Sequence, residues 1–376
     1  MNAYLDCNAT TPIEPEVREL VLRFMSEEFG NAGSRTHDFG ARAKRAVQQA
    51  RDQVAAVVGV ERDEVIFTSG ATEANNLAIL GLIAHAEKSG RRHVISTQIE
   101  HKAVLEPLDV LRSRGFDVTL LPPTSGGWVD PAALASALRP DTLLVSVMHA
   151  NNETGELQPL SDLCAVLGSH EAFLHTDAAQ GFGKDLDALR NRRIDLISIS
   201  GHKLYAPKGI GALVTRRRGF DRIPLAPLMF GGGQERGLRP GTQAVHLIAG
   251  LGLAAELAAR NLVARRARVQ AIREQALAAF APLQPHWNGD PARCLPHVLN
   301  LSFPGLDSEA VMLAWKGLAA VSNGSACTSH SYEPSHVLKA MGLDADRLRG
   351  ALRISWCHLT GDVPWGDMAA AVRRLA

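Results

Sequence analysis

Cysteine is scarce in this chain. Cys7, Cys164, Cys294, Cys327 and Cys357 are the five among 376 residues, odd in number, widely spaced and without a CxxC pair. That pattern argues against a disulfide framework and a cysteine zinc site, and for a reducing compartment. An excess of one charge is also missing: 40 Lys and Arg stand against 39 Asp and Glu, a formal net charge of +1. Bulk charge therefore calls for no particular partner, and direct nucleic-acid binding is not indicated. The arginine clusters Arg216–Arg218 and Arg260 with Arg265, Arg266 and Arg268 read as solvated faces. No apolar run approaches the length of a membrane span, and the opening Met-Asn-Ala-Tyr-Leu-Asp has no basic region followed by an apolar stretch. A cytoplasmic protein without membrane contact is expected. The dinucleotide fingerprint G-x-G-x-x-G is absent as well, so no nicotinamide cofactor is suggested.

What is present is an ordinary globular composition, 46% hydrophobic and 21% charged, at a length that suits two domains. Pro15 opens a helical pattern over 15–29; 30–40 reads as loop and 41–58 as a long amphipathic helix ending at Gly59. Then strands (64–69, 93–97, 116–121, 142–148, 173–177, 194–200) alternate with helices (72–88, 102–114, 131–138, 160–168). Such alternation predicts an α/β fold with a mostly parallel sheet flanked by helices. Residues 242–281 predict one or two long helices. Shorter strands follow at 298–303, 319–322 and 351–355, with a last helix near 365–375. The expected division is a large domain over 15–255 and a smaller α+β domain made of 1–14 and 256–376.

Three stretches carry chemistry. Ser69-Gly70-Ala71-Thr72-Glu73 lies between a strand and a helix, where exposed N–H groups favour a phosphate. Asp177 ends an apolar strand, a costly place for a carboxylate unless it meets a cation. The alternatives there are a salt bridge to a core arginine or a partner for a protonated ring nitrogen. Ser200-Gly201-His202-Lys203 ends the next strand and presents a lysine. An anion cradle, an acid and a lysine for an aldehyde together specify pyridoxal 5′-phosphate (PLP). The cradle is Ala71 and Thr72 with Ser200 and His202.

Eight motifs, in order, extend this over nearly the whole chain. They are YLDCNATTP (4–12), TSGATEANNLAI (68–79), EHKAVLEP (100–107), NNETGELQP (151–159), HTDAAQ (175–180), SGHKLYAPKGIGAL (200–213), GGGQERGLRPGTQ (231–243) and SNGSACTS (322–329). In them the chain resembles the class V aminotransferase superfamily, PLP-dependent transferases of fold type I, and within it the cysteine desulfurases of the NifS/IscS type. The resemblance implies that Lys203 carries PLP, Asp177 partners the ring nitrogen and Gln180 contacts the ring hydroxyl. It implies that His101 stacks on the ring and moves protons, and that Thr72, Ser200 and His202 bind the phosphate. Thr242 would supply a phosphate contact to the other subunit of a homodimer. Asn152 and Arg353 would hold the substrate carboxylate. Read as residues alone, His101 also suits a helix cap, Asn152 a turn and Arg353 a structural ion pair.

Cys327 selects the reaction. It lies among small polar residues, Ser322 to His330, with no apolar period to bury it. A buried small hydrophobe describes Cys164 and fits Cys357, but not Cys327. The resemblance implies that Cys327 attacks the sulfur of PLP-bound L-cysteine, becomes a persulfide and releases alanine. The sulfur then passes to an acceptor protein serving iron–sulfur cluster assembly, tRNA thiolation or DNA phosphorothioation. The alternatives are another class V reaction (transamination or selenocysteine cleavage) or a silent sulfur-relay or scaffold protein. No metal is expected. Two departures stand out: Cys7 where the family usually has Asn, and Trp356-Cys357-His358 after Arg353 in place of its Leu-Gly-Arg-like continuation. The chain also ends at Ala376, short of the C-terminal extension with which longer desulfurases dock a scaffold; a specialised acceptor is therefore expected.

Overall fold

The structure, a computed structural model, describes residues 2–323 and 334–375. The chain opens on a short strand, β1 (Ala3–Tyr4), and two helices, α1 (Pro15–Ser26) and α2 (Asp38–Val58). Helix α2 starts earlier than its periodicity suggests because His37 accepts a hydrogen bond from Gly40 N and caps it. Gly59, at φ 68°, ends it. The alternating region then gives β2 (Val65–Thr68), α3 (Ala71–Leu80), α4 (Ile83–Ser89), β3 (His93–Thr97), α5 (Lys102–Ser113) and β4 (Asp117–Leu121). It continues with α6 (Pro131–Ala137), β5 (Thr142–Ser146), α7 (Leu160–Leu167), β6 (Phe173–Asp177), β7 (Leu196–Ser200) and β8 (Gly211–Thr215).

These strands form one seven-stranded sheet in the order β2-β8-β7-β6-β5-β3-β4, parallel except for β8. Burial of both faces explains why β5, β6 and β7 read as nearly continuous apolar runs. Side chains alternate between two cores. On β7 and β8, Ile197, Ile199, Ala212 and Val214 join the core under α1 and α2. Leu196 and Leu213 join the opposite core under α3 and α5.

Helices α8 (Val245–Arg260) and α9 (Leu262–Phe280) meet at a 75° bend. Beyond them lie β9 (His286–Trp287), β10 (Val298–Ser302), β11 (Ala319–Ala320) and β12 (Ala351–Ser355). An antiparallel sheet, β12-β10-β9, packs with Phe280, Trp315, Trp356 and Trp365 in a separate core. The N-terminal lead joins this part: β1 pairs in parallel with β11, and Leu5 is in its core. Residues of the first core run to Ala258, and those of this one resume at Val269. Among the described residues no single helix is long and apolar enough to cross a membrane.

Three local expectations change. Strand β8 was not anticipated; five residues directly after a glycine-rich turn carry too little periodicity to declare a strand. The helix expected over 72–88 is broken into α3 and α4, where Ala226 N takes the Gly81 carbonyl at 2.8 Å. A Cβ on Gly81 would meet the Leu77 carbonyl at 2.3 Å. Arg216 is not a solvated residue: it is buried and donates to the carbonyls of Asn191, Ile194 and Val58. Arg218 likewise grips Asp195.

Candidate active site

The parallel strands deliver their C-terminal ends to one side of the sheet, where open α/β proteins place ligands. A cavity of about 540 Å³ lies there. It is lined by Ala71, Thr72, His101, Asn152, Asp177, Gln180, Ser200, His202, Lys203 and Arg353. The fold thus brings together ten of the residues singled out from the sequence. Thr242 is exposed and not among the lining residues. Cys327 lies outside the described residues.

Lys203 is presented by a tight turn. Gly201–Lys203 forms one 3₁₀ turn directly after β7, closed by Gly201 N to Ile210 O and by Leu204 N and Ala206 N to Gly201 O. A Cβ on Gly201 would stand 2.8 Å from the Ile210 carbonyl, so only glycine fits. Tyr205 takes a left-handed φ of 65°, which its buried ring must hold in place. The lead explains its own motif here: Thr11 N and Oγ1 donate to His202 O at 2.9 and 3.0 Å, and Thr10 Oγ1 meets His202 Nδ1 at 3.2 Å. Burial and the Lys203 and Lys208 charges lower the His202 pKa to about 4, so this imidazole is neutral.

Asp177, at the end of β6, meets no arginine among the described residues. Its Oδ2 accepts from Asn75 Nδ2 at 2.7 Å and its Oδ1 from Ala179 N at 2.9 Å. Asn75 was missed from the sequence. The signal was a polar side chain beside Ala74, Leu77 and Ala78 on the buried side of α3. The first turn of α3 has no side-chain cap at Gly70, so the Ala71 and Thr72 N–H groups face the cavity rim without one. Gln180 Nε2 donates to Asn8 O at 2.9 Å, and that acceptor fixes the amide orientation. Its buried Oε1 therefore points away, without a donor among the described residues.

His101 performs both roles that its sequence context allowed. It caps α5, with Nδ1 accepting from Ala103 N at 3.0 Å, and it lines the cavity. The neutral ring therefore carries its proton on Nε2. Burial, reinforced by the Lys203 charge, holds its pKa below the ordinary value. Beside it, fully buried Glu100 ties the α5 start to the β5 end: Oε1 accepts from Met148 N at 2.7 Å and Thr97 Oγ1 at 3.1 Å. Burial pushes the Glu100 carboxyl up to about 8.

The remaining wall comes from other parts of the chain. The turn expected of Asn152 is made by Asn151, whose Oδ1 accepts from Glu153 N and Thr154 N. The Asn152 carbonyl accepts from Asn8 Nδ2 at 3.1 Å and Arg353 Nη1 at 3.0 Å. Arg353, 4% exposed, also pairs with Asp6 at 2.7 Å, while its Nε has no partner among the described residues. The GGGQERG segment is anchored by Glu235, a buried carboxylate that takes two hydrogen bonds from Arg51, at 2.7 Å each.

PLP suits this donor set. The uncapped α3 turn provides N–H groups for a phosphate, Asp177 an oriented carboxylate and Gln180 Oε1 an unpaired acceptor. The chain belongs to the class-V aminotransferase family, whose model matches residues 3–361. Within that family its relatives include cysteine desulfurases. The IscS cysteine desulfurase of Methylococcus capsulatus is 45% identical over 353 residues, 94% of this chain and 87% of that one. Among solved structures, DndA from Streptomyces lividans is 50% identical with a TM-score of 0.83, covering 94% of this chain and 99% of that one. SspA in complex with cysteine is 37% identical, also with a TM-score of 0.83, covering 96% and 100%.

Proposed function

We propose that this enzyme is a PLP-dependent cysteine desulfurase that converts L-cysteine to L-alanine and passes the sulfur through Cys327 to an acceptor protein. The observation that carries the reading is the convergence of Lys203, Asp177, His101 and Arg353 on one cavity. A relative solved with cysteine supports the substrate.

Bound PLP supplies an electron-withdrawing ring that stabilises the charge left when the substrate loses its α-proton. The residues to hold it are the Ala71 and Thr72 N–H groups, Ser200 and His202 at the phosphate, Gln180 at the ring hydroxyl and Asp177 at the ring nitrogen. Lys203 would anchor the cofactor, and its Nζ would take the substrate α-proton. Arg353 and Asn152 orient the substrate carboxylate. His101, protonated on Nε2 when neutral, would stand at the cofactor ring and donate there. Cys327 Sγ, as thiolate, attacks the substrate sulfur; the C–S bond breaks and Cys327 holds the persulfide. Protonation of the remaining carbon gives alanine.

A homodimer with Thr242 reaching the second copy's phosphate site, a cytoplasmic setting and a sulfur acceptor in iron–sulfur, tRNA or DNA modification belong to the same proposal. The test supplies purified protein with L-cysteine and measures alanine, sulfide and keto acid. Alanine with persulfide on Cys327 is expected. Undiminished alanine formation by Cys327→Ala sinks the sulfur-transfer assignment, and keto acid as the main product favours transamination.

A further inference from the structure

Two departures from the family pattern, 350 residues apart in the chain, meet in the fold. Cys7 and Cys357 are each 1% exposed and form a small buried cluster with Tyr205. The backbone sets this up: Cys7 N donates to Ser355 O at 3.0 Å and Asn8 N to Ser355 Oγ at 2.9 Å. The lead therefore runs beside the end of β12, two residues before Cys357. The two thiols share this one cluster, near enough for each to shift the other's titration. Cys357 is further held by its N–H to Thr360 Oγ1 at 3.0 Å and by Thr360 Oγ1 donating to its sulfur at 3.7 Å. Lys184, whose Nζ meets His297 Nε2 at 3.3 Å, places a cation by both thiols; Asp6, beside Cys7, is the nearby anion.

We propose that Cys7 and Cys357 form a redox-modification site, a dithiol that hydrogen peroxide converts to a disulfide joining the N-terminal lead to the segment after β12. The neighbouring Cys7 thiol, with the Thr360 hydroxyl, holds the Cys357 thiol below its ordinary value; the same neighbour and burial push Cys7 up. Cys357, whose sulfur accepts from Thr360 Oγ1, is the attacking thiolate and Cys7 the resolving thiol. The Cys357 sulfur attacks one peroxide oxygen: an S–O bond forms, the O–O bond breaks, and the departing hydroxide takes a proton to become water. Cys7 then attacks the sulfenic sulfur: the S–S bond forms, the S–O bond breaks, and the leaving hydroxide takes the Cys7 proton. Sulfur is oxidised by two electrons overall and peroxide is reduced to two waters. Tyr205, the third member of the cluster, also lines a cavity of about 30 Å³ with Lys184 and His297, room for a molecule of peroxide size.

The site bears on the larger cavity through its chain neighbours. Asp6 holds Arg353, and Asn8 binds both the Asn152 carbonyl and the Gln180 amide. Bond formation at residue 7 pulls on both. The chemistry of the pair is independent of the desulfurase reading and stands or falls by itself.

The test uses the full-length holoenzyme carrying Cys327→Ser, which removes the thiol assigned to sulfur transfer. Hydrogen peroxide is added in small excess, remaining thiols are alkylated in denaturant, and the digest is read by mass spectrometry. A linked peptide pair holding Cys7 and Cys357, lost on adding dithiothreitol, is expected, with Cys164 and Cys294 recovered alkylated. Adding Cys7→Ser should leave a sulfenic acid on Cys357 that dimedone traps. Recovery of Cys7 and Cys357 as alkylated thiols, or no trappable sulfenic acid in the double variant, overturns the proposal.

Discussion

The cavity has two walls of different construction. One is the end of the seven-stranded sheet, where Asp177, Ser200, His202 and Lys203 sit on or directly after adjacent strands, and Asn75 and the 3₁₀ turn brace them. The other is gathered from the lead, the Asn151–Gly155 turn and β12. It is held by contacts between residues 144 to 347 positions apart, such as Asn8 with Asn152 and Asp6 with Arg353. The first wall is rigid because the sheet that carries it is buried on both faces. The second depends on two separately built cores staying in register. Preorganised charge belongs on the first, and adjustable substrate grip on the second.

Substitutions can break that contrast. The largest effect is expected on the sheet wall. Lys203→Ala should lower alanine formation from L-cysteine by about a thousandfold or more, the scale of losing a positioned proton-transfer group, with circular dichroism unchanged. A loss below tenfold would remove Lys203 from the chemistry. On the assembled wall, Arg353→Ala should act mainly on KM. Losing a charged hydrogen-bond donor costs about 1.5–3 kcal/mol, or roughly 10- to 150-fold. Asp6→Ala should raise KM less, because Arg353 keeps the Asn152 carbonyl; an equal fall in kcat for both variants would contradict a substrate-gripping wall.

A finer distinction lies within the sheet wall. Asn75→Ala removes the 2.7 Å donor to Asp177 Oδ2, making Asn75 a positioning residue. A shift in the pH titration of the visible cofactor band is expected, together with a fall in kcat of about tenfold; Asn75→Gln should fail to restore it if position matters. An unmoved titration would leave Asn75 as packing alone.

The smallest effect appears only in acid. His175, bonded on both sides by Ser146 Oγ at 2.8 Å and Ser198 Oγ at 3.0 Å, ties β5, β6 and β7 together. Burial lowers its pKa to about 4, against about 6.5 in an unfolded chain. Between those values the unfolded chain binds the extra proton. The stability present above about pH 6.5 is therefore lost as pH falls towards 4. Urea midpoints at pH 7 and pH 5 should differ less in His175→Gln than in the parent; equal differences would show that the imidazole charges without penalty in the fold.

The chain by itself determined the alternation of strands and helices, the place of the long helices and the chemistry at the strand ends. Those are local properties: apolar periodicity, caps and glycine turns act over a few residues. Asp177 was legible because it ends a buried strand, where a polar residue is conspicuous, and Lys203 because it lies in the turn directly after the next one. Strand β8 and the break at Gly81 were not, since a five-residue run and a contact from Ala226 leave no local periodic signal. Tertiary structure alone decided that Arg216 is buried, that Asn75 and not an arginine meets Asp177, and that Asp6 holds Arg353. It also brought Cys7 against Cys357. Each of these is a pairing between distant residues, and its partner is chosen by how the sheets and cores pack, which no short stretch of the chain specifies.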